Sequence, residues 1–569
     1  MEDWLPKSIL ELRTYNAQKF LSDLIAGLTV GVVALPLAMA FAIASGVPPQ
    51  AGIYCAIVTG FLIAALGGSR TQVSGPTGAF VVVVHGIVVQ HGIDGLFMTT
   101  MLAGVMLVIL GATGMGTAVK FFPRPVVLGF TNGIAVLIAS TQFKDFFGLR
   151  FTRVPGEFLP RMEQVVRNFD TFSWVAALLG AGALAVIILF SRYVKRVPGA
   201  IIALVAGTAI AALFKLPIET VGTRFGGLPA GLPEFHIPQI RFDLVPDLFP
   251  SAITVAMLGA IESLMSAVVA DRMSGDKHNP NVELMAQGVG NIVSPMFGGL
   301  PATGAIARTA ANIRCGAKTP VAAMIHAVTL LAILLFAAPL AAHIPLTILA
   351  AILFVTAYNM GEWREIRPLL RMGRADVSVW AITFALTVLA DLSLAVQVGM
   401  LLAALLFIRN VTTTTTVSEV TAEYIDDGRI HILQDKDIPD YATIVRIHGP
   451  FLFGATDKLR ETMEPLDRLP PIVILRLRNM TAIDATGLVA LEELADMLHA
   501  SGRNLILCGA REQPARLMRK AGFARHVGEE NICPNVHAAL ARAAQLHDRR
   551  KRRREEAATA AVEDEDEAD

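Results

Sequence analysis

The sequence predicts a polytopic α-helical membrane protein of about 14 spans with a C-terminal cytoplasmic α/β domain, and three observations predict it. Of the 569 residues, 54% are hydrophobic and only 17% charged, against roughly 25% charged in a soluble chain. The charges are uneven: between Asp376 and Arg409 the only other one is Asp391, whereas beyond about residue 420 they return to soluble-protein density. Apolar runs approaching the ~20 residues that cross a bilayer recur along the first part of the chain.

Those runs lie near 23–45, 51–68, 76–91, 95–117, 124–142, 172–190, 198–214, 250–270, 283–297, 302–315, 320–341, 345–360, 376–391 and 392–409. The third and tenth are short and begin at Gly/Pro clusters. Basic residues gather after the even-numbered runs: Arg70; Lys120 and Arg124; Arg192, Lys195 and Arg196; Arg272 and Lys277; Arg314 and Lys318; Arg364, Arg367, Arg371 and Arg374; Arg409. Basic residues mark the cytoplasmic side, so both termini are expected inside. Lys144, Arg150, Arg153, Arg224 and Arg241 fall on the other side, among acids in two longer loops. The N-terminal residues lack the layout of a signal peptide, so the run from Leu24 is expected to stay as a span.

The domain plan follows: an N-terminal cytoplasmic segment (1–22), a membrane domain (23–410), a linker (411–429) containing the threonine run Thr412 to Thr416, a soluble domain (430–546) and a charged tail (547–569). In the soluble domain "TIVRIHGPFLFG", "IVILRLRNM" and "NLILCG" read as strands, and Leu488, Leu491, Leu494 and Leu498 share one face of a helix. The tail, a basic block followed by an acidic one, is expected to be disordered. Its basic block either touches anionic lipid or is simply solvated.

The function classes narrow by exclusion. Cys55, Cys315, Cys508 and Cys533 have no paired spacing, so neither a disulfide framework nor a zinc site is expected. Metal-ligand spacing, a nucleophile elbow and a Walker loop are all missing from the sequence, which argues against an enzyme and against a pump that hydrolyses ATP itself.

The most informative feature is a pair of matching segments, "VSGPTGAF" (Val73 to Phe80) and "GLPATGAIART" (Gly299 to Thr309). Each sets Pro and Gly before a short apolar run, and each contains Thr-Gly-Ala. Interrupted hydrophobic segments at corresponding places in two halves point to a transporter binding site. Helices that begin inside the membrane present unpaired N–H groups and positive dipole ends, which attract an anion. The alternative is a pair of Pro-kinked spans packed through small residues. Arg308, about one turn into the second segment, either completes the anion site or snorkels to the interface. Glu262 lies mid-span with no basic neighbour within a helical turn. It either couples transport, by binding a proton or by ligating sodium with Ser266 one turn away, or it is a structural acid. Asp391, between the last two runs, reads as interfacial. In the soluble domain "DATGL" (Asp484 to Leu488) ends a strand and opens a helix, placing the Thr486 hydroxyl at a helix N-terminus; Asp is also an ordinary helix cap there.

These blocks, with "DLIAGLTVGVVALPLAMAFAIASGVPPQAGIYCA" and "AMLGAIESLMSAVVADRMSGDKHNPNVELMAQGVGNI", resemble the SulP family of anion transporters, the bacterial relatives of solute carrier family 26. The soluble domain resembles a STAS domain. The form "LPLAMA" of the first span resembles that of a bacterial dicarboxylate transporter of that family. The resemblance implies a seven-plus-seven inverted repeat, a core domain (spans one to four and eight to eleven) moving against a gate domain, a homodimer, and an inner-membrane location. It implies a substrate site of Phe41, Thr77, Gly78, Ala79, Phe80, Thr303, Gly304, Ala305, Ile306 and Arg308. Many members carry Gln where this chain has Leu37, which removes a polar contact. In related regulatory domains the position of Thr486 is phosphorylated. The expected function is a proton-coupled symporter of small anions, foremost four-carbon dicarboxylates such as succinate or fumarate. Sulfate or bicarbonate uptake, with proton or sodium, and an uncoupled exchanger or channel are the alternatives. The expected partners are the anion, lipid, a second copy and a cytoplasmic protein at the STAS domain; no cofactor and no nucleic acid are expected.

Overall fold

The computed structural model describes residues 4–12, 14–117, 123–151, 155–193, 198–229, 231–238, 241–390, 392–419, 438–463 and 466–566. Asp391, Lys120, Arg153, Lys195 and Arg196 lie outside them. The chain divides into two compact units, Met1–Ala403 and Ala404–Asp569.

The principal helices of the first unit are α1 (Ala17–Ala44), α2 (Pro49–Leu66), α3 (Gly78–Ala112), α4 (Arg124–Phe147), α5 (Trp174–Tyr193), α6 (Gly199–Leu213), α7 (Val245–Ser274), α8 (Pro280–Val293), α9 (Ile306–Arg314), α10 (Val321–Ala341), α11 (Leu346–Met360) and α12 (Arg374–Leu389). α13 (Leu392–Thr414) follows across the unit boundary. Among the described residues, nine helices are long and apolar enough to cross a membrane. α3 is broken at Gly92 (φ 71°, ψ −171°), so the third apolar run is a short helix that starts at Gly78. α9 has only nine residues, as the Gly/Pro cluster before the tenth run predicts.

The helices form two packed groups. α1, α2, α3, α7, α8, α9 and α10 make one; α4, α5, α6, α11 and α12 make the other. Small residues set the closest crossings, as membrane packing favours. A Cβ added to Gly104 of α3 would lie 2.7 Å from Gly288 O, and one added to Gly288 of α8 would lie 2.6 Å from Gly104 O. Gly129 and Gly133, one turn apart on α4, press against Trp380, Thr383 and Thr387 of α12 in the same way. Ahead of the two short helices run β1 (Ser74–Gly75) and β2 (Thr303–Gly304), which pair antiparallel with Ser74 opposite Gly304 and Gly75 opposite Thr303. This crossing joins the matching segments of the two halves.

The second unit holds a five-stranded sheet, β3 (Thr416–Glu419), β4 (Ala442–Phe451), β5 (Ile472–Ile483), β6 (Asn504–Cys508) and β7 (Ile532–Cys533), in that spatial order. β3 is antiparallel to β4 and the other pairs are parallel. Helices α14 (Thr456–Met463), α15 (Ala485–Ala500) and α16 (Glu512–Ala521) cover one face, where Leu491, Leu494 and Leu498 are buried. The opposite face meets Val536, Ala539 and Ala543 of α17 (Val536–Asp566).

Two expectations are corrected here. The threonine run does not belong to a linker: Thr412–Thr414 complete α13 and Thr416 opens β3. Threonine hydroxyls can bond back to helical carbonyls, as Thr412 Oγ1 does to Ile408 O at 2.9 Å. Residues 420–429 of the expected linker lie outside the described residues. The tail is not irregular: α17 continues through Asp566, consistent with the high helix propensity of its Ala, Arg, Lys and Glu residues.

Candidate functional site

Unwound backbone inside a membrane domain must satisfy its N–H and C=O groups within the protein. Buried polar side chains do this around β1 and β2. Val73 N donates to Thr309 Oγ1 at 3.0 Å, and Gly304 N donates to Ser263 Oγ at 3.1 Å. Asn291 donates to Ala302 O at 2.9 Å and accepts from Ala302 N at 2.8 Å. Asn312 Nδ2 donates to Thr71 O at 2.9 Å, and Gln287 Nε2 to Ser74 Oγ at 3.0 Å. The chain can therefore leave the helical path twice at this level and start α3 and α9 at the crossing.

Beside it lies a cavity of about 320 Å³, lined by Phe41, Thr77, Gly78, Glu262, Gly304, Ala305, Ile306 and Arg308 and closed by apolar side chains of the second helix group. Thr77 and Ala305 are the N-caps of α3 and α9, and neither helix start has a side-chain cap. The Thr77 hydroxyl instead donates to Glu262 Oε2 at 3.0 Å. Arg308 is buried and its Nη2 donates to Pro76 O. Its Nη1 has no hydrogen-bond partner among the described residues, so a donor of fixed charge remains uncommitted. The space around Gly78 is tight: a Cβ there would lie 3.1 Å from Ile138 Cδ1, 3.2 Å from Met360 Sδ and 3.3 Å from Phe41 Cε1. Both helix groups thus close on the start of α3.

Not every sequence-selected residue faces this space. Ala79 and Phe80 bury their side chains in the core, and Thr303 and Ser266 stand outside the lining. Thr303 Oγ1 donates to Gly259 O at 3.1 Å and shares a 2.7 Å hydrogen bond with Ser263. Ser266 shares a 3.0 Å hydrogen bond with Thr309. The Thr303 hydroxyl stitches β2 to α7, and the Ser266 hydroxyl stitches α7 to α9. The apolar walls Phe130, Met360 and Val396 carried no signal in the sequence, being apolar residues in apolar runs. Leu37, noted as a departure, does line the cavity.

The cavity shares Val127, Ile261, Met265, Asn359 and Glu362 with a wider one of about 910 Å³ that reaches Arg124, Arg272, Arg364 and Glu365. The site therefore opens toward the side where basic residues gather.

In the second unit Asp484 caps α15. Its Oδ1 accepts from Gly487 N at 2.7 Å and its Oδ2 from Phe453 N at 3.1 Å. Thr486 is exposed in the first turn. Among the described residues no cluster of His, Cys, Asp or Glu has the arrangement of a metal site.

Comparison with known proteins places this architecture. Residues 20–383 match the sulfate permease family and residues 433–539 the STAS domain. The putative sulfate transporter YvdB of Bacillus subtilis is 41% identical over 91% of this chain and 97% of its own length. The bicarbonate transporter BicA of Synechocystis is 31% identical over 92% of this chain and 94% of its own. In three dimensions the chain is similar to the murine Slc26a9 anion transporter in its inward-facing state, with a TM-score of 0.85 at 18% identity over 95% of this chain and 94% of that one. The transmembrane domain of a cyanobacterial BicA gives 0.61 at 32% identity over 68% of this chain and 98% of that one. The chain belongs to the sulfate permease family and is a multi-pass membrane anion transporter, not an enzyme, with a C-terminal STAS domain.

Proposed function

We propose that the protein is a proton-coupled symporter of small carboxylates, four-carbon dicarboxylates such as succinate or fumarate foremost, in the bacterial plasma membrane with both termini cytoplasmic. The observation that carries this reading is the composition of the cavity. Two helix N-termini and Arg308 supply an anion-attracting end, while Leu37, Phe41, Phe130 and Met360 supply apolar walls. A carboxylate held by the polar end would lay a short hydrocarbon body against those walls, which burial of apolar surface favours. Sulfate has no such body. Glu262 in the lining supports coupled rather than channel-like movement, because an uncoupled channel needs no carboxylate at the site.

A second reading, sulfate or bicarbonate uptake, is favoured by the names of the relatives. Sodium is the alternative coupling ion, with Glu262 as an oxygen ligand; the engagement of Ser266 by Thr309 supports the proton instead. The family resemblance supports a homodimer, and Thr486, exposed beside its cap, is a candidate regulatory position.

The test is uptake of radiolabelled succinate, sulfate and bicarbonate into proteoliposomes under imposed proton or sodium gradients. Concentrative succinate uptake driven by an acidic exterior and resistant to excess sulfate is expected. Sulfate or bicarbonate uptake without succinate uptake would overturn the dicarboxylate reading, and sodium dependence would overturn the proton.

A further inference from the structure

α10 carries His326, which is fully buried, and neither ring nitrogen has a hydrogen-bond partner among the described residues. Buried polar groups are rarely left in that state. Its surroundings connect it to the site. Ala56 and Gly60 lie one turn apart on α2, and β1 crosses their face. A Cβ on Gly75 of β1 would meet Arg308 Nη1 at 2.9 Å and Ala56 Cα at 3.4 Å. A Cβ on Gly60 would meet Ser74 O at 3.3 Å and His326 Nδ1 at 3.8 Å. Arg308 Nη1 and His326 Nδ1 therefore both approach the face of α2 that β1 crosses, one beside Gly75 and the other beside Gly60.

The chemistry of these groups selects a ligand. A neutral imidazole offers one donor and one acceptor, and the guanidinium only donates. A bare cation would be repelled by Arg308, and an anion would face uncommitted acceptors. Water both donates and accepts, and buried waters typically make two to four hydrogen bonds to such groups.

We propose that His326 is a positioning residue for Arg308, acting through ordered water held between the imidazole and the uncommitted guanidinium nitrogen. The inference rests on the reading of Arg308 as an anion-binding group. With the guanidinium tethered on one side by Pro76 O and on the other by water, its charge is held at the start of α9 rather than drawn away from the cavity.

The experiment uses the full chain in lipid nanodiscs, with whichever of radiolabelled succinate, sulfate or bicarbonate the wild type takes up as the probe. His326→Leu, which keeps bulk but offers no polar atom, is expected to weaken binding about tenfold, a change of ~1.4 kcal/mol. His326→Gln, which restores a donor and an acceptor, is expected to recover most of it. In an Arg308→Ala background His326→Leu is expected to add nothing. Wild-type binding by His326→Leu, equal impairment by Leu and Gln, or an undiminished effect in the Arg308→Ala background would each overturn the proposal. Arg308→Ala by itself tests the underlying reading, so the two failures are distinguishable. Should His326→Leu not fold, a cryo-EM map of the wild type that resolves water decides: density bridging His326 and Arg308 supports the tether, and its absence overturns it.

Discussion

The Thr77 hydroxyl donates to Glu262 Oε2 across 3.0 Å, joining residues 185 apart in the chain. It ties the first turn of α3 to the middle of α7. At an ordinary N-cap this hydroxyl would accept from the helix's own N–H groups. Here it faces the carboxylate, and the first turn of α3 has no side-chain cap. The anion end of the site and the acid proposed for coupling are thus linked by one hydrogen bond.

Thr77→Val removes that donor at nearly constant volume. A hydrogen bond to a charged group contributes about 1.5–3 kcal/mol. If the Thr77–Glu262 bond bears on coupling, proton-driven uptake by the variant should differ from wild type by about tenfold or more at some pH, tenfold being ~1.4 kcal/mol. Initial rates across a pH series in proteoliposomes measure it. A profile identical to wild type would show that the bond does not bear on coupling.

Arg308→Ala tests the anion end. The loss of a charge-assisted contact costs about 1.5–3 kcal/mol, or roughly ten- to a hundredfold in affinity. The variant is expected to keep its size-exclusion profile and to bind more weakly in equilibrium binding assays. Unchanged affinity would leave Arg308 as a structural group that tethers Pro76.

How much of this was legible in the sequence depends on the kind of residue. Arg308 and Glu262 stood out because charge inside an apolar run is costly and hence conspicuous. The matching Thr-Gly-Ala segments stood out because Pro and Gly interrupt helices. Which side chains face the cavity was harder to read, since consecutive residues on a helix point in different directions: Gly78 lines it while Ala79 and Phe80 turn into the core. The role of Ser266 depended on Thr309, 43 residues away, and no local spacing reports that. Phe130, Met360 and Val396 carried no signal, because one apolar residue in an apolar run resembles the next. In the second unit the strands and the leucine face of α15 followed from periodicity. The threonine run misled because β-branched polar residues can end a helix, build an edge strand or fill a linker.

Asp484→Ala should loosen the start of α15. Both carboxylate oxygens accept backbone N–H groups, from Gly487 and Phe453. Loss of a helix cap costs about 0.5–2 kcal/mol. Hydrogen exchange on the full chain should show the amides of Gly487 and Phe453 exchanging roughly tenfold faster, as ~1.4 kcal/mol of lost protection implies. Transport by the membrane unit is expected to be spared in the same preparation. Unaltered exchange at both amides would mean that the cap contributes nothing.

Glu262→Gln addresses the coupling itself. The carboxylate lines the cavity together with Arg308 and both helix starts. When ionised, its negative charge opposes an anion in the same space. When protonated, that opposition is gone and the loaded site carries less net charge across the apolar interior. Anion and proton then favour each other's binding, and linkage makes the effect reciprocal. Glutamine has the shape of the protonated acid but cannot release a proton. The variant should therefore bind substrate and exchange it between the two sides of a proteoliposome, while losing accumulation driven by an acidic exterior. If sodium were the coupling ion, the amide oxygen would be a weaker ligand than the carboxylate, and sodium-driven accumulation would be lost instead. Parallel uptake assays with each gradient imposed alone separate the two ions. Accumulation at the wild-type level under both would make Glu262 a structural acid and place coupling elsewhere in the molecule.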